Sequence, residues 1–186
     1  MNLLAHAVLS PDSERVRVGN VLADFIRRSE IEKLAPELRQ GIEIHQRIDR
    51  FTDNHPVVLR SQERLVGFQR YANPLIDVFY DHFLTKKWPY TNPIHLFIPE
   101  LYQSIRDCYY LLPADTERIA EHMITQDWLS GYGSYPGLKV NLGRMEKRIE
   151  MVRGRKVDLV SAIQILEVQY KQIERDFDEF RPQLKD

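Results

Sequence analysis

Two stretches of this 186-residue chain combine carboxylates with imidazoles at helical spacing: His45-Gln46-Arg47-Ile48-Asp49-Arg50-Phe51-Thr52-Asp53, and Asp77-Val78-Phe79-Tyr80-Asp81-His82-Phe83-Leu84. In the first, Leu38, Ile42, His45, Ile48, Asp49 and Thr52 recur in steps of three and four, so His45 and Asp49 continue the stripe that Leu38 and Ile42 begin. Burying an unpaired carboxylate costs on the order of several kcal/mol, and a bound cation is one of the few ways to offset that cost. The two stretches therefore read as a candidate divalent-metal cage built between helices. The alternative is a structural pairing of His45 or Asp49 with neighbouring Arg or Tyr side chains.

Residues four apart on a helix stack one above the other. His45 with Asp49, Asp49 with Asp53, Asp77 with Asp81, and Asn20 with Asp24 can each offer two groups to one site. Oxygen-rich sets with one or two imidazoles suit Mn²⁺, Mg²⁺ or Fe²⁺ better than structural zinc, which favours Cys and His in a closed tetrahedron. Such a centre lowers the pKa of bound water and neutralises charge on phosphoryl oxygens, so phosphoester hydrolysis is the natural chemistry. Arg47 and Arg50, on the same helix, are candidates to clamp a phosphate or are simply solvated. His55, beside Pro56 in a break, is a weaker ligand candidate, and His95 and His122 sit outside the acidic clusters as surface residues.

The elements that must position these groups are helical. No segment shows sustained strand-like alternation bounded by hairpin turns. Val18, Val21, Leu22, Phe25 and Ile26 predict a helix over about 15–28, and Pro36, suited to a first helical turn, opens one over about 36–53. Pro56 then breaks the chain; a shorter helix occupies about 57–69, and Asn73-Pro74 starts another over about 74–87. Ile98, Leu101, Tyr102, Ile105, Cys108, Tyr109 and Leu112 keep helical spacing up to Pro113, and a further helix starts near Asp115 and closes by Gly131. Leu159, Ile163, Leu166, Tyr170, Ile173, Phe177 and Phe180 mark a last long helix whose aromatic stripe is core. The run Ser130 to Gly137 is a loop rich in small residues that lacks the Gly-Lys-Ser/Thr ending of a phosphate-binding loop. The expected fold is all-α, a single-domain bundle of about seven to eight helices over residues 1–186.

Composition sets the outer bounds. A hydrophobic content of 43% fills one sizeable core, and a formal net charge of −1 argues against a nucleic-acid binder. Cys108 is the only cysteine, which excludes an internal disulfide and a Cys-rich zinc site and fits a reducing, cytoplasmic compartment. The start Met1-Asn2-Leu3-Leu4-Ala5-His6 has no basic n-region, and its apolar run is interrupted by His6 and Ser10, so neither a secretory signal nor a membrane span is expected.

Several blocks, taken in order, carry a resemblance: Met1 through His6, Gly19-Asn20-Val21-Leu22-Ala23-Asp24-Phe25, Gly41 through His45 to Asp49, Phe51-Thr52-Asp53, and Asp77 through Asp81-His82-Phe83-Leu84. Together they resemble the acyl carrier protein phosphodiesterase family. The resemblance implies an all-helical fold distantly similar to HD-type metal phosphohydrolases and a cytoplasmic Mn²⁺-dependent hydrolase. Its protein substrate would be holo acyl carrier protein, from which water would release 4′-phosphopantetheine and leave the apo carrier. The chain has Asp81-His82 in place of a His-Asp dipeptide, so the HD ligand scheme does not transfer position by position. On this reading His6, Asp24, His45, Asp49, Asp81 and His82 are the candidate metal shell, with Asp53 and Asp77 orienting water or bracing an imidazole. Asn20 either binds phosphate or caps a helix. The basic segment Arg144, Lys147, Arg148, Arg153, Arg155 and Lys156, diluted by Glu146 and Glu150, would dock an acidic carrier, with Arg148 and Arg153 foremost, or is a solvated helix face. The alternatives are a nucleotide phosphohydrolase using the same cage and a helical interaction module whose acids pair with arginines. Oligomeric state is not legible.

Overall fold

The computed structural model describes residues 2–185, so Met1 of the opening block lies outside the described residues. Among those residues there is no strand. The α-helices are α1 (Leu3–Val8), α2 (Glu14–Leu22), α3 (Pro36–Asp53), α4 (Pro56–Glu63), α5 (Ala72–Lys86), α6 (Ile94–Asp107), α7 (Ala114–Thr125), α8 (Tyr135–Arg153), α9 (Ile163–Val168) and α10 (Tyr170–Phe180). All but α1 and α9 have eight residues or more, in line with the seven to eight helices expected.

Local chemistry explains the boundaries. Pro36 and Pro56 each stand at the first residue of their helix, where a missing N–H costs nothing, and the His55 ring accepts the Val57 N–H to cap α4. Helix α4 ends at Glu63, earlier than the apolar spacing predicts, because the chain turns through Gly67 at φ 89°. The segment predicted as one C-terminal helix is divided at Gln169 into α9 and α10. The loop beginning at Ser130 is a 3-10 turn, and Ser134 caps α8 by accepting the Gly137 N–H.

The chain forms two compact units, each assembled from separated stretches. One comprises Leu3–Phe51 and Trp88–Leu129; the other comprises Thr52–Lys87 and 130–185 together with Asn2. In the first unit α1 packs on α2 and α2 on α6, and Val18, Val21, Leu22 and Leu38 are fully buried. A six-residue helix such as α1 is unstable alone, so packing of Leu3, Leu4, Ala5 and Ala7 holds it in place. In the second unit α10 packs on α4 and α5, and Tyr80, Phe83 and Phe177 form edge and stacked ring contacts at 5.4–5.8 Å.

Within the first unit, two glycines set how closely α2 and α3 approach. A Cβ on Gly19 would lie 2.3 Å from the Leu38 carbonyl oxygen, and one on Gly41 would lie 2.2 Å from that of Val16 and 2.6 Å from the Asn20 nitrogen. The backbones of α2 and α3 therefore touch, which only glycine permits. Gly→Ala inside a helix ordinarily stabilises by about 0.5–1 kcal/mol. At residue 41 overpacking reverses the sign: Gly41→Ala is expected to lower stability by about 1–3 kcal/mol in urea denaturation, and an unchanged midpoint would contradict the contact.

Candidate metal centre

Three side chains converge where α1, α2 and α3 meet. His6 on α1 and His45 on α3 stack face to face, ring centroids 3.9 Å apart and 17° from parallel. Both are buried, at 1% and 5% exposure. Asp49, one turn beyond His45, bridges them: its Oδ1 is 3.1 Å from His6 Nε2 and its Oδ2 is 3.1 Å from His45 Nε2. One donor atom from each residue lies within 4.8 Å of the others. Asp24 borders the cluster, its Oδ1 3.4 Å from His45 Nε2; the 3-10 turn Ala23–Phe25 at the end of α2 carries it there.

The sequence pattern predicts acids turned into the interior, whereas here the imidazoles are buried and the acids form the rim. The Asp49 side chain is one-third exposed and that of Asp24 is 68% exposed. The reason is geometric: the α3 stripe passes through Leu38, Ile42, His45 and Thr52, all buried, and Asp49 flanks it. The carboxylates thus reach solvent while the ring nitrogens stay buried beneath them.

The hydrogen bonds fix what the rings present. His45 Nδ1 lies 2.9 Å from the main-chain carbonyl of Asn20, an atom that can only accept, so Nδ1 carries the proton. In the neutral ring Nε2 is then a lone pair facing two carboxylates. That atom is buried and makes no well-formed hydrogen bond, with an Asp49 oxygen 3.1 Å and an Asp24 oxygen 3.4 Å away. An imidazole lone pair and carboxylate oxygens face one another at 3.1 Å only with a positive charge between them, either a proton or a cation. Two nitrogens and a carboxylate suit Fe²⁺ or Mn²⁺, and fit Mg²⁺, which takes oxygen ligands, less well; His6, His45 and Asp49 are the residues that would hold the ion.

Without a metal a proton fills that role. Burial alone would lower the His45 pKa, but the flanking Asp24 and Asp49 carboxylates outweigh it and push it up to about 9. Asp49 is also opposed by burial, yet its contacts with His45 and His6 hold it well below the ordinary carboxylate range. His6 is lowered, first by burial and also by the nearby His45.

Of the other expected site residues, Asn20 is fully buried with every side-chain polar atom engaged: Oδ1 with His6 Nδ1 at 2.9 Å, and Nδ2 with the His6 carbonyl and Ser10 Oγ at 3.0 and 2.9 Å. This corrects the expectation that it binds phosphate or caps a helix, since no group is left over. Arg47 and Arg50 are exposed on α3. Asp53, Asp77, Asp81, His82, Arg148 and Arg153 belong to the other compact unit. There His82 Nδ1 donates to the Tyr132 carbonyl at 2.7 Å and Nε2 lies 3.3 Å from the Tyr170 hydroxyl, so the structure does not bring it together with His6, His45 and Asp49 in one donor cluster. Asp81 is fully buried on α5, while Asp53 and Asp77 are half-buried and Arg148 and Arg153 exposed. His55 is the half-buried cap of α4, and His95 and His122 are exposed as expected.

Sequence reasoning missed Ser10, and it missed Asp176. Asp176 is 2% exposed on α10 and is held by Arg60, Arg64 and Ser61 at 2.8–2.9 Å. It is the arginine-paired buried acid that the structural alternative described, at another address. Its register on the stripe of Ile173, Phe177 and Phe180 was the available signal.

Fold and donor set together define an all-α protein with a candidate cation-binding centre. The chain belongs to the acyl carrier protein phosphodiesterase family, whose model matches residues 1–184 and so runs through both compact units. Relatives named acyl carrier protein phosphodiesterase include those of Serratia proteamaculans, 30% identical over 99% of this chain and 95% of the relative, and Pectobacterium atrosepticum, 29% identical over the same shares. That of Yersinia enterocolitica is 30% identical over 98% of this chain and 94% of its own length. No solved structure matches the chain.

The charge pair sets a pH dependence in metal-free protein. The His45 value is raised above its ordinary 6.5, so its stabilisation is complete below 6.5 and is lost as pH rises through about 9. Asp49, lowered from 3.8, contributes above 3.8 and loses its share only as pH falls through its depressed folded value; His6, lowered from 6.5, has no effect above 6.5. Urea denaturation in chelator is expected to show the advantage of wild type over His45→Gln shrinking between pH 6.5 and 9. A constant difference would contradict the pairing.

Proposed function

We propose that this protein is a metal-dependent phosphodiesterase acting on holo acyl carrier protein. The observation that carries the reading is membership of the acyl carrier protein phosphodiesterase family along residues 1–184, and the converging His6, His45 and Asp49 support the metal. Water adds at the phosphorus that joins the carrier serine to its arm, the bond from phosphorus to the serine oxygen breaks, and that oxygen takes a proton. The products are apo carrier and 4′-phosphopantetheine. A bound Mn²⁺, with Mg²⁺ or Fe²⁺ as alternatives, would make water a stronger nucleophile and neutralise charge on the phosphoryl oxygens.

The residues divide the remaining work. His6, His45 and Asp49 would hold the ion, and exposed Asp24 would add an oxygen at the rim or orient water there. Arg47 and Arg50 on α3 offer guanidinium groups to the phosphate. On α8, the exposed Arg148 and Arg153 belong to a segment with six basic and two acidic residues, in a chain whose net charge is −1; they attract the acidic carrier at long range. No helix among the described residues is long and apolar enough to cross a membrane, and the reading assigns the protein to the cytoplasm.

One assay tests the reading. Purified protein with Mn²⁺ should remove the phosphopantetheine arm from holo carrier, seen as mass loss. Asp49→Ala should reduce the rate by at least about 10²-fold, and doubly substituted Arg148→Glu, Arg153→Glu protein should raise the KM for carrier while sparing a small phosphodiester. Full activity in Asp49→Ala would overturn the metal assignment, equal loss on both substrates would overturn the docking role, and an untouched carrier would overturn the substrate.

A further inference from the structure

Asn20 touches both histidines of the centre, by two different atoms. His6 Nδ1 meets the side-chain Oδ1 at 2.9 Å, and His45 Nδ1 meets the main-chain carbonyl at 2.9 Å. The amide can take only one orientation. Ser10 Oγ donates to the His6 carbonyl at 2.8 Å, so towards Asn20 it presents a lone pair, and the His6 carbonyl is itself an acceptor. Both demand an N–H donor, and Nδ2 supplies it at 2.9 and 3.0 Å. A flipped amide would aim an oxygen at two acceptors within 3.0 Å, leaving buried groups unsatisfied at a cost of about 1–3 kcal/mol each. With Nδ2 committed, Oδ1 faces His6, and His6 Nδ1 must carry the proton.

Resting on the metal reading above, we infer that Asn20 is the positioning residue of the centre, the single residue that sets the tautomer of both imidazoles and so turns both Nε2 lone pairs onto the carboxylate of Asp49. The two halves of that role differ in kind. The His6 half depends on the amide side chain. The His45 half depends on a backbone atom that any residue retains, held in reach of α3 by the contact of Gly19 and Gly41. Ser10 acts one step further out, through the amide and through its own hydrogen bond to the His6 carbonyl. Partners that fix a ligating imidazole typically alter metal affinity by about 10–100-fold when removed.

This asymmetry makes the inference testable apart from activity. Mn²⁺ affinity is measured by calorimetry on wild type, Asn20→Ala and Ser10→Ala. The protonation of each ring nitrogen is read by ¹⁵N imidazole spectra with Zn²⁺ as a diamagnetic probe. Wild type is expected to bind both histidines through Nε2 with Nδ1–H intact. Asn20→Ala should lose about 10–100-fold in Mn²⁺ affinity, with His6 losing its fixed tautomer while His45 keeps Nδ1–H, and Ser10→Ala should lose less. Equal affinity in Asn20→Ala and wild type would overturn the inference and leave the metal reading standing. If Asn20→Ala does not fold, the wild-type spectra decide alone, since either ring bound through Nδ1 overturns it. A wild type that binds neither ion overturns the metal reading, and the inference with it.

Discussion

Two imidazole lone pairs aimed at one carboxylate are a repulsive arrangement until a positive charge sits among them. Everything else around the centre holds that arrangement in place. Asn20 fixes which nitrogen of each ring carries a proton, Gly19 and Gly41 bring the backbones of α2 and α3 into contact, and the apolar residues of α1 anchor His6. Burial of the rings keeps water from relieving the conflict at His45 Nε2. In metal-free protein a proton on His45 does so instead, which is why its pKa rises to about 9 although burial opposes it.

The second compact unit handles a buried charge in the opposite way. Asp176 is neutralised by Arg60 and Arg64 with Ser61 completing its hydrogen bonds, so nothing is left over for a ligand. His82 likewise has a carbonyl at one nitrogen and a hydroxyl at the other. A saturated buried group stabilises a fold; an unsaturated one, such as His45 Nε2, is where binding chemistry can occur.

Much of this was legible in the sequence, because it derives from short-range rules. Pro36 and the spacing of Leu38, Ile42 and His45 marked α3 at its observed limits, and a four-residue separation suffices to bring His45 onto Asp49. His45, Asp49 and Asp24 could be named as candidates from residue type and spacing, and His6 from the family resemblance. The role of Asn20 could not, because it depends on a backbone carbonyl and an amide orientation set by Ser10, neither of which has a spacing signature. The same limit applies to His82: its position on α5 is helical arithmetic, but its contacts with Tyr132 and Tyr170 come from residues 50 and 88 positions away. The burial of Asp49 was overestimated because a stripe predicts which face is covered and not how far its edge extends, and Asp49 lies on that edge.

If the lone pairs are held apart for a ligand, a divalent cation fills the space shared by His6, His45 and Asp49. Anomalous scattering from crystals of the protein grown with Mn²⁺ locates such an ion without reference to activity. A manganese peak is expected about 2.0–2.3 Å from Nε2 of both histidines and from an Asp49 carboxylate oxygen. A peak elsewhere, or His6 and His45 hydrogen-bonded to Asp49 with no ion between them at saturating Mn²⁺, would contradict it.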